Sequence, residues 1–397
     1  MNTLSIDFGT SYCSAAYIVG NSAPVSVPFG LNQYSSLCYK FPTVIQYALN
    51  SKGEESKVVG EMALRNLIQS NKSDASIISK IKTELREHSG YIVNGKPKKS
   101  VQIVSDIFSY IKQIAEEETK LLFDEVIITH PAQYESTKQK ILVDAASMCG
   151  FQKIQLLEEP KAAAYAFIEE HKIPLDSGCV VFDYGGGTVD VAYLKYEADG
   201  INFKFPPKGL SGCGGEYIDL SLHNNVLDKL NESINTSISP LLLDNCSQMK
   251  INFSKYNNGK IIHLNKALAF TIDEFNTIIH PRTNAALDVF KDVIDICNSH
   301  NLPINYIFMN GGSSKLSYIR EEIKSLIPEA EILDYNGDDL AVSIGSLLYL
   351  LKTSPIYECN ATNENIINKR GVAIVDSPIL RKLKEQRQQY NNSKLNK

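Results

Sequence analysis

The chain has 397 residues, 43% of them hydrophobic, enough for two compact lobes with a core each. Charged residues make up 21% and the formal net charge is -5, so no surplus of Lys and Arg is present to neutralise a phosphate backbone, and nucleic acid is not an expected partner. Met1-Asn2-Thr3 runs straight into a strand-like segment without a basic or apolar leader, no apolar run could span a bilayer, and the eight scattered cysteines show neither zinc spacing nor a C-x-x-C pair; these features lead us to expect a cytoplasmic protein with reduced thiols and no membrane partner.

In chain order, Leu4-Ser5-Ile6-Asp7-Phe8-Gly9-Thr10-Ser11-Tyr12-Cys13-Ser14-Ala15-Ala16-Tyr17-Ile18 reads as an apolar strand, a tight turn of small residues and a second strand. Val101, Val104, Ile107, Phe108, Ile111 and Ile114 follow helical spacing within 101–123. A strand over 125–129 leads through His130-Pro131-Ala132 into a helix over 136–148, with Ser136 as N-cap and Gly150 closing it. A strand over 154–157 then delivers Glu158-Glu159-Pro160 to the head of a helix over 162–170, and Pro174 to Gly178 marks the crossing into a second lobe.

The second lobe opens by repeating the first. Val180-Val181-Phe182-Asp183-Tyr184-Gly185-Gly186-Gly187-Thr188-Val189-Asp190-Val191-Ala192-Tyr193-Leu194 lies over the first hairpin without gaps, with Asp, aromatic, Gly and Ala-Tyr in register. Helical regions over 217–231 and 273–298 follow, with Asn257-Asn258-Gly259 between them as a hairpin turn. A strand over 306–309, the turn Asn310-Gly311-Gly312-Ser313-Ser314 and helices over 316–326 and 341–351 close the lobe. The expected organisation is α/β, with a first lobe over 1–175, a second over 176–353 and an extension over 354–397 that ends in a basic, polar tail from Arg381.

Asp7 and Asp183 each end a buried strand before a Gly-rich turn. Such a turn presents backbone N–H groups to phosphate oxygens while the carboxylate attracts magnesium, usually through water. One copy could be ordinary turn chemistry, since Asp-x-Gly is common in tight turns. Two copies in one register, facing each other, could grip a polyphosphate from both sides. No Walker-type or Rossmann glycine pattern competes with that reading.

With these motifs the chain resembles the ATPase domain of the heat-shock-70 family from Ile6 to Gly345. Ile6-Asp7-Phe8-Gly9-Thr10-Ser11 resembles its first phosphate loop and Phe182-Asp183-Tyr184-Gly185-Gly186-Gly187-Thr188-Val189-Asp190-Val191 its second. Glu158-Glu159-Pro160-Lys161-Ala162-Ala163-Ala164 resembles its connecting segment, and Met309-Asn310-Gly311-Gly312-Ser313-Ser314-Lys315 its adenosine motif. The resemblance implies a two-lobe actin-like ATPase fold of ribonuclease H-like type with duplicated lobes, binding ATP or ADP with magnesium and acting as a nucleotide-dependent switch on a protein partner.

It further implies that Asp7, Asp183 and Glu159 organise hydrated magnesium and the attacking water, and that Thr188 meets the γ-phosphate or that water. Gly9, Thr10, Ser11, Tyr12, Gly185, Gly186 and Gly187 would contact phosphates, and Lys82 would orient the water. Lys80 stands two residues away, and a solvated helix face is the plain alternative for either lysine. Asp190 would hold a monovalent cation such as potassium, or simply cap a strand end. Gly311, Gly312, Ser313 and Lys315 would border the nucleoside, unless the glycines only turn the chain from strand to helix. Gly214 and Gly215, with Glu216, would close over the other side, and Asp339 would contact ribose or water.

Several positions depart from the family pattern. In Cys246-Ser247-Gln248-Met249-Lys250-Ile251-Asn252-Phe253-Ser254 only Lys250 and Ser254 match the family's adenine clamp, and Ile251 replaces a stacking Arg. Lys315 stands where an Arg is usual and Gln139 where a relay Arg is usual. The roughly forty residues after Thr353 resemble neither the family's linker nor its substrate domain, so peptide-client binding is not expected. A small-molecule kinase of the same superfold, an actin-like filament protein and an inactive nucleotide-binding scaffold are the alternative readings.

Overall fold

The computed structural model describes residues 2–31, 35–70, 76–85, 90–231, 238–256, 259–337 and 339–353. Two mixed sheets of the same plan carry the architecture. In the first, strands run in the order Lys153–Glu158, Glu125–His130, Asn2–Phe8, Tyr12–Val19 and Val25–Ser26, with Lys40–Pro42 also on Tyr12–Val19. The second runs Glu331–Asp334, Tyr306–Asn310, Gly178–Tyr184, Thr188–Glu197 and Gly200–Phe203, with Lys208–Ser211 also on Thr188–Glu197. In both, three parallel strands are followed by an antiparallel hairpin partner. The duplication read from the sequence is thus a duplication of topology, and the fold is the two-lobe actin-like one.

Why these segments are strands is plain from their burial. Leu4, Ile6 and Phe8 on one face and Ser5 between them are all fully buried, as are Val180, Val181 and Phe182. Strands covered on both faces read as continuous apolar runs and not as alternation. Each lobe has its own core: the first gathers Phe8, Ile103, Phe108 and Val126, the second Phe182, Val226, Phe253 and Phe290.

A third core joins the lobes. It stacks Ala16, Ile18 and Ile127 of the first sheet, and Val181, Ala192 and Phe308 of the second, on the helices Glu159–His171 and Ala341–Thr353. These two helices cross between the sheets. A Cβ at Gly345 would lie 1.9 Å from the Ala162 carbonyl oxygen, so only glycine allows the backbones this close. Hydroxyl contacts pin the crossing to the first sheet, Ser5 to Ser346 at 2.6 Å and Ser14 to Ser343 at 3.2 Å. Chain continuity passes from lobe to lobe at the turn after His171, but packing is continuous across it.

Several boundaries differ from the sequence reading. Ser136 is the first residue of the helix Ser136–Met148; Glu135 holds the N-cap position, without a side-chain cap bond. The helix expected from Ala162 begins at Glu159, because Pro160 fits the first turn, where its missing N–H costs nothing. The glycine pair at 311–312 opens a 3-10 turn, Gly312–Lys315, and the α-helix starts only at Ser317. Of the expected turn at 257–259, Asn257 and Asn258 lie outside the described residues and Gly259 begins a strand; the hairpin Gly259–His263/Lys266–Phe270 turns at Leu264 and Asn265, both at positive φ. The extension over 354–397 lies outside the described residues. Seven described cysteines are free thiols, and among the described residues no helix is long and apolar enough to cross a membrane.

Candidate functional site

The hairpins bring their aspartates to the floor of a cleft of about 510 Å³ between the lobes. Asp7 ends one strand opposite Ser14, and Asp183 ends the other opposite Asp190. The Asp7 carboxylate accepts from Ser14 Oγ and Thr129 Oγ1, each at 3.4 Å. Thr188 Oγ1 donates to Asp190 at 3.2 Å. Burial, then repulsion from Glu159, pushes the Asp7 carboxyl up to about 7, and the same causes bring Asp190 to about 7. Asp183 is also raised well above the usual carboxylate range, by burial first and then by Glu159 and Asp190.

Among these acids sits one buried cation. Lys82 Nζ donates to Glu159 Oε1 at 2.7 Å, with both side chains about nine-tenths covered. Burial alone would lower the lysine's pKa, but Glu159 and Asp7 outweigh it and hold the ammonium charged. Lys80 instead approaches Glu216 at 3.8 Å and is well exposed. Of the two lysines that sequence alone left open, Lys82 is therefore the one in the cleft floor. Glu159 sits there because the helix it opens points its N-terminal turn at the cleft, where a carboxylate is favoured by the unpaired N–H groups.

Four carboxylates against one ammonium leave a buried excess of negative charge, which fits a divalent cation. Among the described residues no three His, Cys, Asp or Glu side chains are grouped to ligate one ion directly. The turns above the floor are shaped for close backbone approach. A Cβ at Gly9 would meet the Tyr12 carbonyl oxygen at 2.0 Å, and one at Gly186 would meet Ser11 Oγ at 2.0 Å. Thr10, Ser11, Tyr12, Gly185, Gly187 and Thr188 line the same volume.

The outer cleft has two walls. One is the face of the helix Pro240–Tyr256 that presents Ser247, Lys250, Ile251 and Ser254. Lys250 Nζ is held by Asp219 and by the Gly215 carbonyl, both at 2.8 Å. The other wall is Gly311, Gly312, Ser313 and Lys315, with the Ser313 hydroxyl donating to the Gly185 carbonyl at 2.9 Å. Asp339, at a positive φ of 65°, accepts from Lys315 and from Lys40, each at 2.7 Å. Burial would raise its pKa, but the two lysines hold it below the usual range.

All the residues singled out from the sequence line this cleft except Asp190 and Gly214. Asp190 lies beneath Thr188, and Gly214 packs behind Gly186, where a Cβ would sit 2.4 Å from the Gly186 carbonyl oxygen. Sequence reasoning missed Lys40, Asp219, Asn310 as the partner of Asp183, and the bond from Ser11 Oγ to Glu216 Oε1 at 2.8 Å that ties one phosphate-loop candidate to the opposite lobe. Lys40 and Asp219 lie in no motif, and the pairings of Asn310 and Ser11 are contacts between segments far apart in the chain. Gln139, at the position of the expected relay Arg, donates to the Tyr134 carbonyl at 3.0 Å.

Comparison with known proteins gives a concordant result. The family model described as Hsp70 protein matches residues 6–350. Chaperone protein HscA of Buchnera aphidicola subsp. Schizaphis graminum is 26% identical over 282 residues, which cover 70% of this chain and 44% of that protein. Chaperone protein DnaK of Mycoplasma mycoides is 25% identical over 359 residues, covering 86% of this chain and 58% of that one. The chain thus spans about half the length of the curated relatives it matches.

Proposed function

The chain belongs to the Hsp70 family, and from that premise we propose that it binds ATP and ADP with hydrated magnesium between its lobes, hydrolyses ATP, and presents the difference between the two states to a protein partner. The observation that carries this reading is the buried Lys82–Glu159 pair set among Asp7, Asp183 and Asp190 between the two glycine-rich turns.

In this proposal Gly9, Thr10, Ser11 and Tyr12 and the facing Gly185, Gly186 and Gly187 hold the phosphates by backbone and hydroxyl groups. Asp7 and Asp183, with Glu159, face the hydrated ion, and Asp190 lies where a monovalent cation would relieve its buried charge. Bound magnesium supplies neutralisation of the charge that builds on the phosphate oxygens. Glu159, held by Lys82, orients the attacking water, and Thr188 sets its line to the γ-phosphate. Gly215, Lys250, Ser254, Gly311, Gly312, Ser313, Lys315 and Asp339 enclose the nucleoside, and Gly214, packed behind Gly186, supports the phosphate turn from outside the cleft. The crossing helices between the sheets provide the joint about which the lobes move, and a partner that binds one arrangement better reads the nucleotide. The free cysteines accord with a cytoplasmic setting.

Labelled ATP with magnesium tests the proposal. Wild type is expected to bind and hydrolyse it, while Glu159→Gln retains binding and loses about hundredfold or more in rate. Failure of wild type to bind ATP would end the reading, and transfer of label to an added metabolite would replace it with the kinase alternative.

A further inference from the structure

We infer that Tyr134 is a positioning residue for the hydrolysis proposed above, on which this rests: its hydroxyl holds the backbone that carries Lys82 and so sets where the Lys82 ammonium meets Glu159. Lys82 stands on a turn, residues 81–84, and not on a helix or strand. Within it the Thr83 and Glu84 N–H groups both donate to the Lys80 carbonyl, at 3.1 and 3.3 Å. No ladder or helical register fixes such a backbone, so the place of its side chains depends on what grips it from outside. Ile81 is buried in the first core, and a Cβ at Gly187 would lie 2.9 Å from Thr83 Cγ2, so the turn also packs against the second lobe. At Lys82 itself, the Tyr134 hydroxyl donates to the main-chain carbonyl at 3.2 Å.

Tyr134 can serve as a fixed point because it is itself held. Its N–H donates to the Pro131 carbonyl and its own carbonyl accepts from Gln139 Nε2, each at 3.0 Å. Its ring stacks on the buried imidazole of His130 with 18° between the planes, and Lys138 Nζ lies 5.5 Å from the ring centroid. His130 ends the strand Glu125–His130, whose Thr129 pairs with Asp7, so this bracket is continuous with the cleft floor. Burial, against the opposing pull of the Lys82 ammonium, pushes the Tyr134 phenol up, and it keeps the proton it donates. A loosened turn would let the lysine shift from Glu159 and leave the attacking water less well aimed, while the groups that hold the phosphates stay in place.

Tyr134→Phe keeps the stacked ring and removes only the hydroxyl. In the full chain with magnesium, ATP affinity is expected to stay within about twofold of wild type, while single-turnover hydrolysis falls about three- to tenfold, the effect of one hydrogen bond. In a Lys82→Met background the same substitution is expected to change the rate by less than about twofold, because Tyr134 acts through the lysine. An unchanged rate for Tyr134→Phe overturns the inference and leaves the nucleotide reading standing. Equal losses of affinity and rate, or the full loss repeated in the Lys82→Met background, would make Tyr134 a support of the lobe as a whole and would also overturn it. Where Lys82→Met does not fold, the split between affinity and rate in Tyr134→Phe decides alone. Absence of ATP binding by wild type ends the nucleotide reading and the inference with it.

Discussion

In the first hairpin the residue opposite the strand-end aspartate is Ser14, whose hydroxyl donates to Asp7; in the second the same register position holds Asp190 beside Asp183. The backbones are duplicates, but the charges are not. Asp7 is a single carboxylate hydrogen-bonded by two hydroxyls, whereas the second hairpin buries two carboxylates whose repulsion helps raise Asp183. Two copies of one backbone plan thus form a symmetric cradle, while the surplus negative charge lies on one side of it. The second hairpin is the side that most needs a cation, and Lys82, reaching in from the first lobe, is paired to Glu159 rather than to either hairpin.

The largest effect should come from removing that cation. Lys82→Ala leaves Glu159 buried without its partner, which costs about 3–5 kcal/mol. Thermal melting should show the loss and single-turnover hydrolysis should fall steeply, while Lys80→Ala, removing an exposed and distant contact, should change neither. Equal effects of the two variants would mean that burial does not single out Lys82.

Proton linkage comes next in size. In metal-free protein Asp7 and Asp190 hold protons up to about 7 when folded, but an unfolded Asp releases its proton near about 4. The folded values are raised, so the stability these groups contribute is present below the unfolded value and is lost as pH rises from about 4 to 7. Melting temperature without magnesium should accordingly fall over that interval, and magnesium with nucleotide should flatten the fall. A rise with pH would show that these carboxyls are not buried as described.

Converting the second hairpin to the first sharpens the comparison directly. Asp190→Ser should stabilise the metal-free protein at neutral pH by about 1–2 kcal/mol, since it removes a buried charge, and should make its pH profile shallower. The smallest effect concerns the rim. Lys40→Ala cuts a half-exposed ion pair that joins strand Lys40–Pro42 to Asp339, worth about 0.2–1 kcal/mol. Nucleotide release measured by stopped flow should quicken by no more than a few-fold.

How much of this could be read beforehand follows from where each signal lies. Asp7 and Asp183 were legible because their motif repeats in one register along the chain. The lobes followed from the same repeat, and the strand ends were placed to within a residue or two by turn residues. The crossing-helix core was not legible, because Ala162 and Gly345 are small residues whose meaning lies in a contact between distant segments. Lys82 and Lys80 sit in equivalent sequence surroundings, and only burial separates them. The turn at Leu264 and Asn265 was missed because a leucine there gives no local sign of a left-handed backbone.

The most direct test of the account is the magnesium dependence of ATP affinity, measured by calorimetry on the wild-type chain and on Asp183→Asn. The account predicts that wild type binds ATP with magnesium and loses about tenfold or more in chelator, since the buried acids then repel the phosphates unscreened. It predicts that Asp183→Asn, with one acid fewer, shows a smaller difference between the two conditions. Equal affinity of wild type with and without magnesium would contradict it.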